Sequence, residues 1–405
     1  MALKGNLLTA QSGGPTAVIN ASVCGVVQEA LRYREIEGIY GAINGILGVL
    51  NEEMIDLRKE DPREIDGLKR TPSSALGSCR YKLNEEDIKK VFEVIKAHNI
   101  RYFLYTGGND SMDTTKKVAD MAEKEGYEMR CIGIPKTVDN DLMETDHCPG
   151  YGSVARFNAI ATRDAGRDTD AIYTSDTVKI VETMGRDTGW ITASTALAKE
   201  EPMDAPHLIY LPERPFIEEK FLQDVQEVYE EHGRVLITVC EGLKDESGEF
   251  IVASGKSVDV DGFGHKQLGG VSQYLCDLIK ERLRIKARFD KPGTIQRVSM
   301  VCVSKVDLEE AYMVGQMGMR YAIEGETGYM VGLERVKDEP YECRTKLVPL
   351  EKVAGKTKSV PDEYINKEGN FVTERFIEYV KPLIGEPLPE YVRLKGYRVQ
   401  KKVNV

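Results

Sequence analysis

Short apolar runs alternate with longer amphipathic segments along this chain, and that alternation restricts the fold more than any other feature. "GNLLTA" (5–10), "YFLYT" (102–106) and "RCIGIP" (130–135) have the length and unbroken apolar character of strands buried on both faces. Between them, "IKKVFEVIKAHNI" (88–100) puts Ile88, Val91, Phe92 and Ile95 on one helical face. Helices are also predicted from Ala17 to Tyr33 and over "MDTTKKVADMAEKEG" (112–126). The second half repeats the theme with strands at "TVKIVETM" (177–184), "VLITVCEG" (235–242) and "QRVSMVCVS" (296–304). Helices at "SVARFNAIATRDA" (153–165) and "SQYLCDLIKERLR" (272–284) separate them. Such an order specifies an α/β protein with mostly parallel, doubly wound sheets. With 405 residues, 41% of them hydrophobic, two or three domains can each bury a core. The Pro-rich, charged stretch from Lys337 onward reads as an appended C-terminal extension.

Charge and cysteine usage narrow the function. A net charge of −11 argues against a general nucleic-acid binder, since phosphate backbones are gripped by clustered Lys and Arg. Small anions need only a few local cations. The eight cysteines contain no C-x-x-C pair, which suggests neither a zinc site nor a disulfide framework. No apolar run approaches the roughly 20 residues of a membrane span, and the N-terminus lacks a charged leader, so a soluble cytoplasmic protein is expected.

Four clusters carry the chemistry. "AQSGGPTAVIN" (10–20) runs from a strand through Gly13 and Gly14 into a helix, whose first amides can hold an anion or simply form a tight turn. "TGGNDS" (106–111) repeats that arrangement, with Ser111 as expected N-cap, and two such loops favour phosphate over plain turns. "PKTVDNDL" (135–142) packs Lys136, Thr137, Asp139 and Asp141 at the end of a buried strand, where charges are costly unless they serve a turn or a site. "MGRDTGW" (184–190) flanks Arg186 with glycines, a geometry suited to presenting a guanidinium to phosphate. None of the five histidines falls in these clusters, so a general base must come from the carboxylates.

Taken together and in this order, "GGxDS", "PKTVDND" and "MGR" resemble the phosphofructokinase family over roughly residues 1 to 335. The resemblance implies two unequal α/β domains with the site between them. A donor-binding domain would span 1–140, regained after about 295, a sugar-phosphate domain 141–294, and the extension 337–405. It assigns Asp139 as the base that takes the proton of a sugar's 1-hydroxyl. Thr137, Asp141, Met184, Gly185, Arg186, Glu241, Arg288, Thr294 and Arg297 match positions around fructose 6-phosphate. Gly13, Gly14, Arg80, Gly108 and Lys136 match the donor side, and Asn109 and Asp110 fall where Mg²⁺ is contacted. A homodimer or homotetramer is implied.

Departures from the ATP-using members are the informative part. Those members have glycine where Asp110 and Lys136 stand, and the Asp–Lys combination resembles the pyrophosphate-dependent branch. A carboxylate at the loop tip would fill the space of a nucleotide's α-phosphate. Two unit charges at about 4 Å, with an effective dielectric near 20, repel by roughly 4 kcal/mol, on the order of a thousandfold in binding. Lys136 can stabilise a departing orthophosphate. Asn109 replaces an Asp that contacts magnesium in many relatives. Cys24 and Gln28 replace two effector-binding arginines, which implies no such allosteric site. Thr294 and Thr177 replace a His and an Arg that grip the sugar's 6-phosphate, leaving that charge to Arg288, Arg297 and Lys291. The alternatives are an ATP-dependent phosphofructokinase and a catalytically silent sugar-phosphate-binding subunit. The second would be marked by loss of Asp139 or Arg186, and both are present.

Overall fold

Parallel strands buried on both faces must be covered by helices on both sides, and the chain does this twice. The computed structural model describes residues 2–252 and 270–402. The strands are β1 (Gly5–Gln11), β2 (Ile36–Ala42), β3 (Met54–Asp56), β4 (Ile100–Gly107), β5 (Arg130–Pro135), β6 (Val178–Thr183), β7 (Leu208–Tyr210), β8 (Val235–Cys240), β9 (Ala287–Asp290), β10 (Tyr329–Asp338) and β11 (Tyr341–Pro349). Among the described residues they form a seven-stranded sheet, ordered β11-β10-β5-β4-β1-β2-β3, and a four-stranded sheet, ordered β7-β8-β6-β9. The smaller sheet is parallel throughout; in the larger, only the edge strands β3 and β11 run antiparallel to their neighbours.

Each face of the larger sheet has its own core. Leu7, Tyr102 and Ile132 pack on one side against the helices Ile19–Ala30 and Lys305–Glu324, while Leu8, Phe103 and Cys131 pack on the other. A Cβ on Gly25 would lie 2.3 Å from Tyr312 O, so that glycine permits the close approach of the two helices. Cys24 and Gln28 sit at this contact: Cys24 is fully buried, and Gln28 accepts from Tyr312 Oη at 2.7 Å.

One expectation is corrected. Residues 296–304 are not a strand but a short helix, Ile295–Val298, followed by a 3₁₀ turn, Met300–Cys302. The apolar alternation there covers no sheet, since Val301 and Ile295 are exposed, whereas Gln296 is buried and bonded to Asn158 and Gly293. The C-terminal extension from Lys337 packs into the body of the fold. β10 and β11 extend the larger sheet, and Val360, Phe376, Tyr379 and Leu383 share a core with Tyr151 and Trp190.

Candidate active site

Both sheets aim the C-terminal ends of their strands at one cleft, the position in which open α/β sheets bind ligands. Its void volume is about 1020 Å³ including its open mouth. β1 leads into Gly13, whose φ of +76° is the left-handed conformation that glycine adopts without strain. A Cβ there would also lie 3.1 Å from Lys136 Nζ. β4 ends at Gly107, and the helix Asn109–Lys124 starts in the cleft. Ser111, expected as N-cap, stands inside the first turn instead. Gly108 holds the cap position, and Asn109 Oδ1 accepts from Asp110 N at 2.7 Å.

Lys136 follows β5 and is 3% exposed, with Nζ donating to Gly14 O at 2.8 Å. Burial and the nearby Arg297 push its pKa down to about 8, against the pull of Asp139 and Asp141. Arg297 is itself pushed down by burial and by Arg80, and its Nε is buried without a hydrogen-bond partner among the described residues. A Cβ on Gly14 would meet Arg297 Nη1 at 2.9 Å and Arg80 Nη2 at 3.8 Å. Cations that depress one another around a pair of glycines make a cradle that an anion relieves.

The turn Thr137–Asp141 follows Lys136 directly and also lines the cleft. Thr137 Oγ1 accepts from Asp139 N at 3.1 Å, and the Oδ1 atoms of Asp139 and Asp141 are buried without a partner among the described residues. Burial raises both carboxyl pKa values, and the charges of Asp141 and Glu241 raise Asp139 further, against Arg186 and Lys136. A carboxyl held between charge states is equipped to take a proton.

The third wall comes from the smaller sheet. After β6, Met184, Gly185 and Arg186 turn into the cleft, with φ of +135° at Gly185 and +22° at Arg186. A Cβ on Gly242 would lie 1.5 Å from Arg186 O, so the loop after β8 passes here only as glycine. Thr188 Oγ1 donates to Asp139 O at 3.2 Å and joins the two lobes directly. Glu241 lines the same wall, its pKa raised by burial.

The cleft therefore gathers the expected donor-side residues Gly13, Gly14, Arg80, Gly108, Asn109, Asp110 and Lys136. From the expected sugar side it takes Thr137, Asp139, Asp141, Met184, Gly185, Arg186, Glu241 and Arg297. It does not gather Arg288 or Thr294. Arg288 pairs with Asp176 at 3.0 Å on an exposed edge, Thr294 is exposed ahead of its short helix, and Lys291 is drawn to the buried Glu182 at 2.5 Å. Thr177, half-buried, donates to Lys286 O at 3.4 Å. Thr357, from the segment after β11, lines the cleft and was not foreseen, because "GKTKS" carries no local signature of a site.

The phosphofructokinase family model matches residues 6–308. The chain belongs to the phosphofructokinase family. Among its relatives in that family is the pyrophosphate–fructose 6-phosphate 1-phosphotransferase of Xanthomonas campestris pv. campestris, 44% identical over 414 residues and covering 98% of each chain. The enzyme of the same name from Rhodospirillum rubrum is 43% identical over 406 residues, covering 99% of each. The crystal structure of a pyrophosphate-dependent phosphofructokinase from Nitrosospira multiformis superposes with a TM-score of 0.87 at 38% identity, covering 99% of both chains.

Proposed function

We infer that the chain catalyses reversible phosphoryl transfer from pyrophosphate to the 1-hydroxyl of fructose 6-phosphate, giving fructose 1,6-bisphosphate and orthophosphate. The observation that carries this reading is the donor end of the cleft, where Asp110 stands in the first turn of the helix and the buried Lys136 ammonium faces Gly13 and Gly14. Cations of the cradle suit a compact dianionic donor, and Asp110 penalises a longer polyphosphate by charge and bulk. The donor would rest on the first lobe, residues 1–140 with the return after about 295. The sugar phosphate would rest on 141–294.

Asp139 takes the proton of the 1-hydroxyl as that oxygen bonds to the nearer phosphorus of pyrophosphate. The bridging P–O bond breaks and orthophosphate leaves with the electron pair, stabilised by the Lys136 ammonium, while Arg186 faces the transferred group. Thr137, Asp141, Met184, Gly185 and Glu241 orient the sugar, and Arg297 meets its charge. Arg288, Thr294 and Lys291 would reach the 6-phosphate only from the cleft's edge. The hard oxygen donors here fit Mg²⁺: Asp110 supplies a carboxylate and Asn109 an amide oxygen that already accepts one backbone hydrogen bond. When bound, Mg²⁺ supplies charge neutralisation on the donor oxygens. We place this activity in the cytoplasm, in glycolysis, and in a homodimer or homotetramer. No helix among the described residues is long and apolar enough to cross a membrane.

A coupled assay offering pyrophosphate or ATP with fructose 6-phosphate tests the reading. Turnover with pyrophosphate that exceeds turnover with ATP by a hundredfold or more supports it, on the order of the charge argument above. A preference for ATP overturns it.

A further inference from the structure

Residues 356–360, after β11, bond to three of the polar segments around the cleft. Lys356 O accepts from Asn109 Nδ2 at 3.4 Å, Lys358 N donates to Asp141 O at 2.7 Å, and Lys358 O accepts from Trp190 Nε1 at 2.9 Å. Val360 N donates to Glu213 Oε1 at 3.0 Å, and the same oxygen accepts from Gly189 N at 2.9 Å. Gly189 and Trp190 close the loop that begins at Met184 and Arg186. The Lys358 ammonium continues inward to the carbonyls of Thr145 (3.0 Å) and Asp146 (2.9 Å) and lies 5.2 Å over the Trp190 ring.

Tyr379, further along, grips the same turn from behind. Its hydroxyl accepts from Asn140 Nδ2 at 2.9 Å and donates to Asp146 O at 2.9 Å. Asn140 separates the two aspartates, is fully buried, and holds a φ of +55°, a conformation that persists in a non-glycine residue only where its surroundings fix it. Its Oδ1 accepts from Cys148 N at 3.0 Å. Asp139 follows a strand of one sheet and Arg186 a strand of the other, so their relative placement depends on whatever joins the two loops.

We propose that Lys358 and Tyr379 are positioning residues for phosphoryl transfer, setting where the turn holds Asp139 against the loop that presents Arg186. Neither side chain lines the cleft, so they act through Asn140, Asp141 and Trp190. The inference rests on the reaction inferred above. Misplacing a reacting group by about 1 Å costs on the order of a hundredfold in rate, with no matching loss of ground-state binding.

The test compares the full chain with Lys358→Met, Tyr379→Phe and Arg375→Ala, the last removing an exposed pair with Glu363 in the same segment. For each protein kcat, both KM values, the melting temperature and the emission of Trp190, the chain's single tryptophan, are measured. We expect Lys358→Met and Tyr379→Phe each to lower kcat by about tenfold to a hundredfold while both KM values stay within about threefold. Lys358→Met should also shift the Trp190 emission, and Arg375→Ala should match the parent. If Lys358→Met does not fold, Tyr379→Phe decides, because it keeps the buried ring. Folded variants with kcat within about twofold of the parent, or losses that vanish when rates are corrected for the folded fraction, overturn the proposal. A parent without pyrophosphate-dependent turnover would instead overturn the reading of the reaction.

Discussion

Replacing Lys136 by Met tests the donor end most directly, because the two side chains are nearly equal in length and the change removes charge with little loss of packing. The pKa of Lys136 falls from 10.5 to about 8, so its surroundings disfavour the ammonium by roughly 3 kcal/mol. A pyrophosphate anion beside Gly13 and Gly14 reverses that balance, and orthophosphate gaining charge as it leaves reverses it further. Removing one such donor from a buried site costs about 10² to 10³ in kcat. Forward and reverse rates should both fall, since one transition state serves both directions. The pH dependence gives a second signature. The ammonium must stay protonated, and its protonated fraction drops about tenfold per pH unit above its pKa, so parent kcat/KM should fall on the alkaline side of about 8. That limb should be missing in Lys136→Met. Coupled assays in both directions between pH 6 and 10 measure all of this. Activity within about threefold of the parent, or an alkaline limb that survives the substitution, would refute the reasoning.

Three further outcomes are expected. Asp139→Ala should lower kcat by about 10² or more with sugar-phosphate KM of the same order, and near-normal turnover in steady-state assays would remove Asp139 as the base. Asp110→Gly should gain measurable ATP-dependent turnover, and combined with Lys136→Gly the effects on donor preference should not add, which kcat/KM for both donors in all variants would show. His147, buried between Asp146 at 2.7 Å and Glu310 at 2.6 Å, has its pKa raised to about 9, mainly by Glu310 and Asp146 against the cost of burial. Its folded pKa exceeds its unfolded value of about 6.5, so its stabilisation is complete below that value and is lost as pH rises through about 9. Melting curves across this window should decline in the parent and decline less in His147→Gln.

The parts of the fold and site that were legible in the sequence share a physical cause. Strands such as Ile100–Gly107 and Arg130–Pro135 advertise themselves because burial on both faces demands unbroken apolar runs, and the polar residues that follow them mark the ligand end. Lys136, Asp139, Asp141 and Arg186 stand out because charge at a buried strand end has few other uses. Residues 296–304 misled because alternation signals a strand only when a neighbouring strand is available to pair with it. Here Gln296 instead spends its side chain on Asn158 and on the Met184 backbone. Arg288 and Thr294 were placed by alignment of motifs, and their surroundings in the fold turn one to Asp176 and leave the other exposed. Lys358 and Tyr379 escaped notice because their partners lie about two hundred residues earlier in the chain, and no local pattern encodes such contacts.

The late position of Lys358 and Tyr379 also gives the site a birth order. A chain grows at roughly 5–20 residues per second with its N-terminal parts folding first, so Asp139 and Arg186 leave the ribosome on the order of ten seconds or more before these two residues follow. During that interval the nascent chain carries Asp139 and Arg186 without the segment that bonds to the Asp141 turn and to Trp190. If Lys358 and Tyr379 position the site as proposed, its competence to react would arrive only once residues 356–379 have been made.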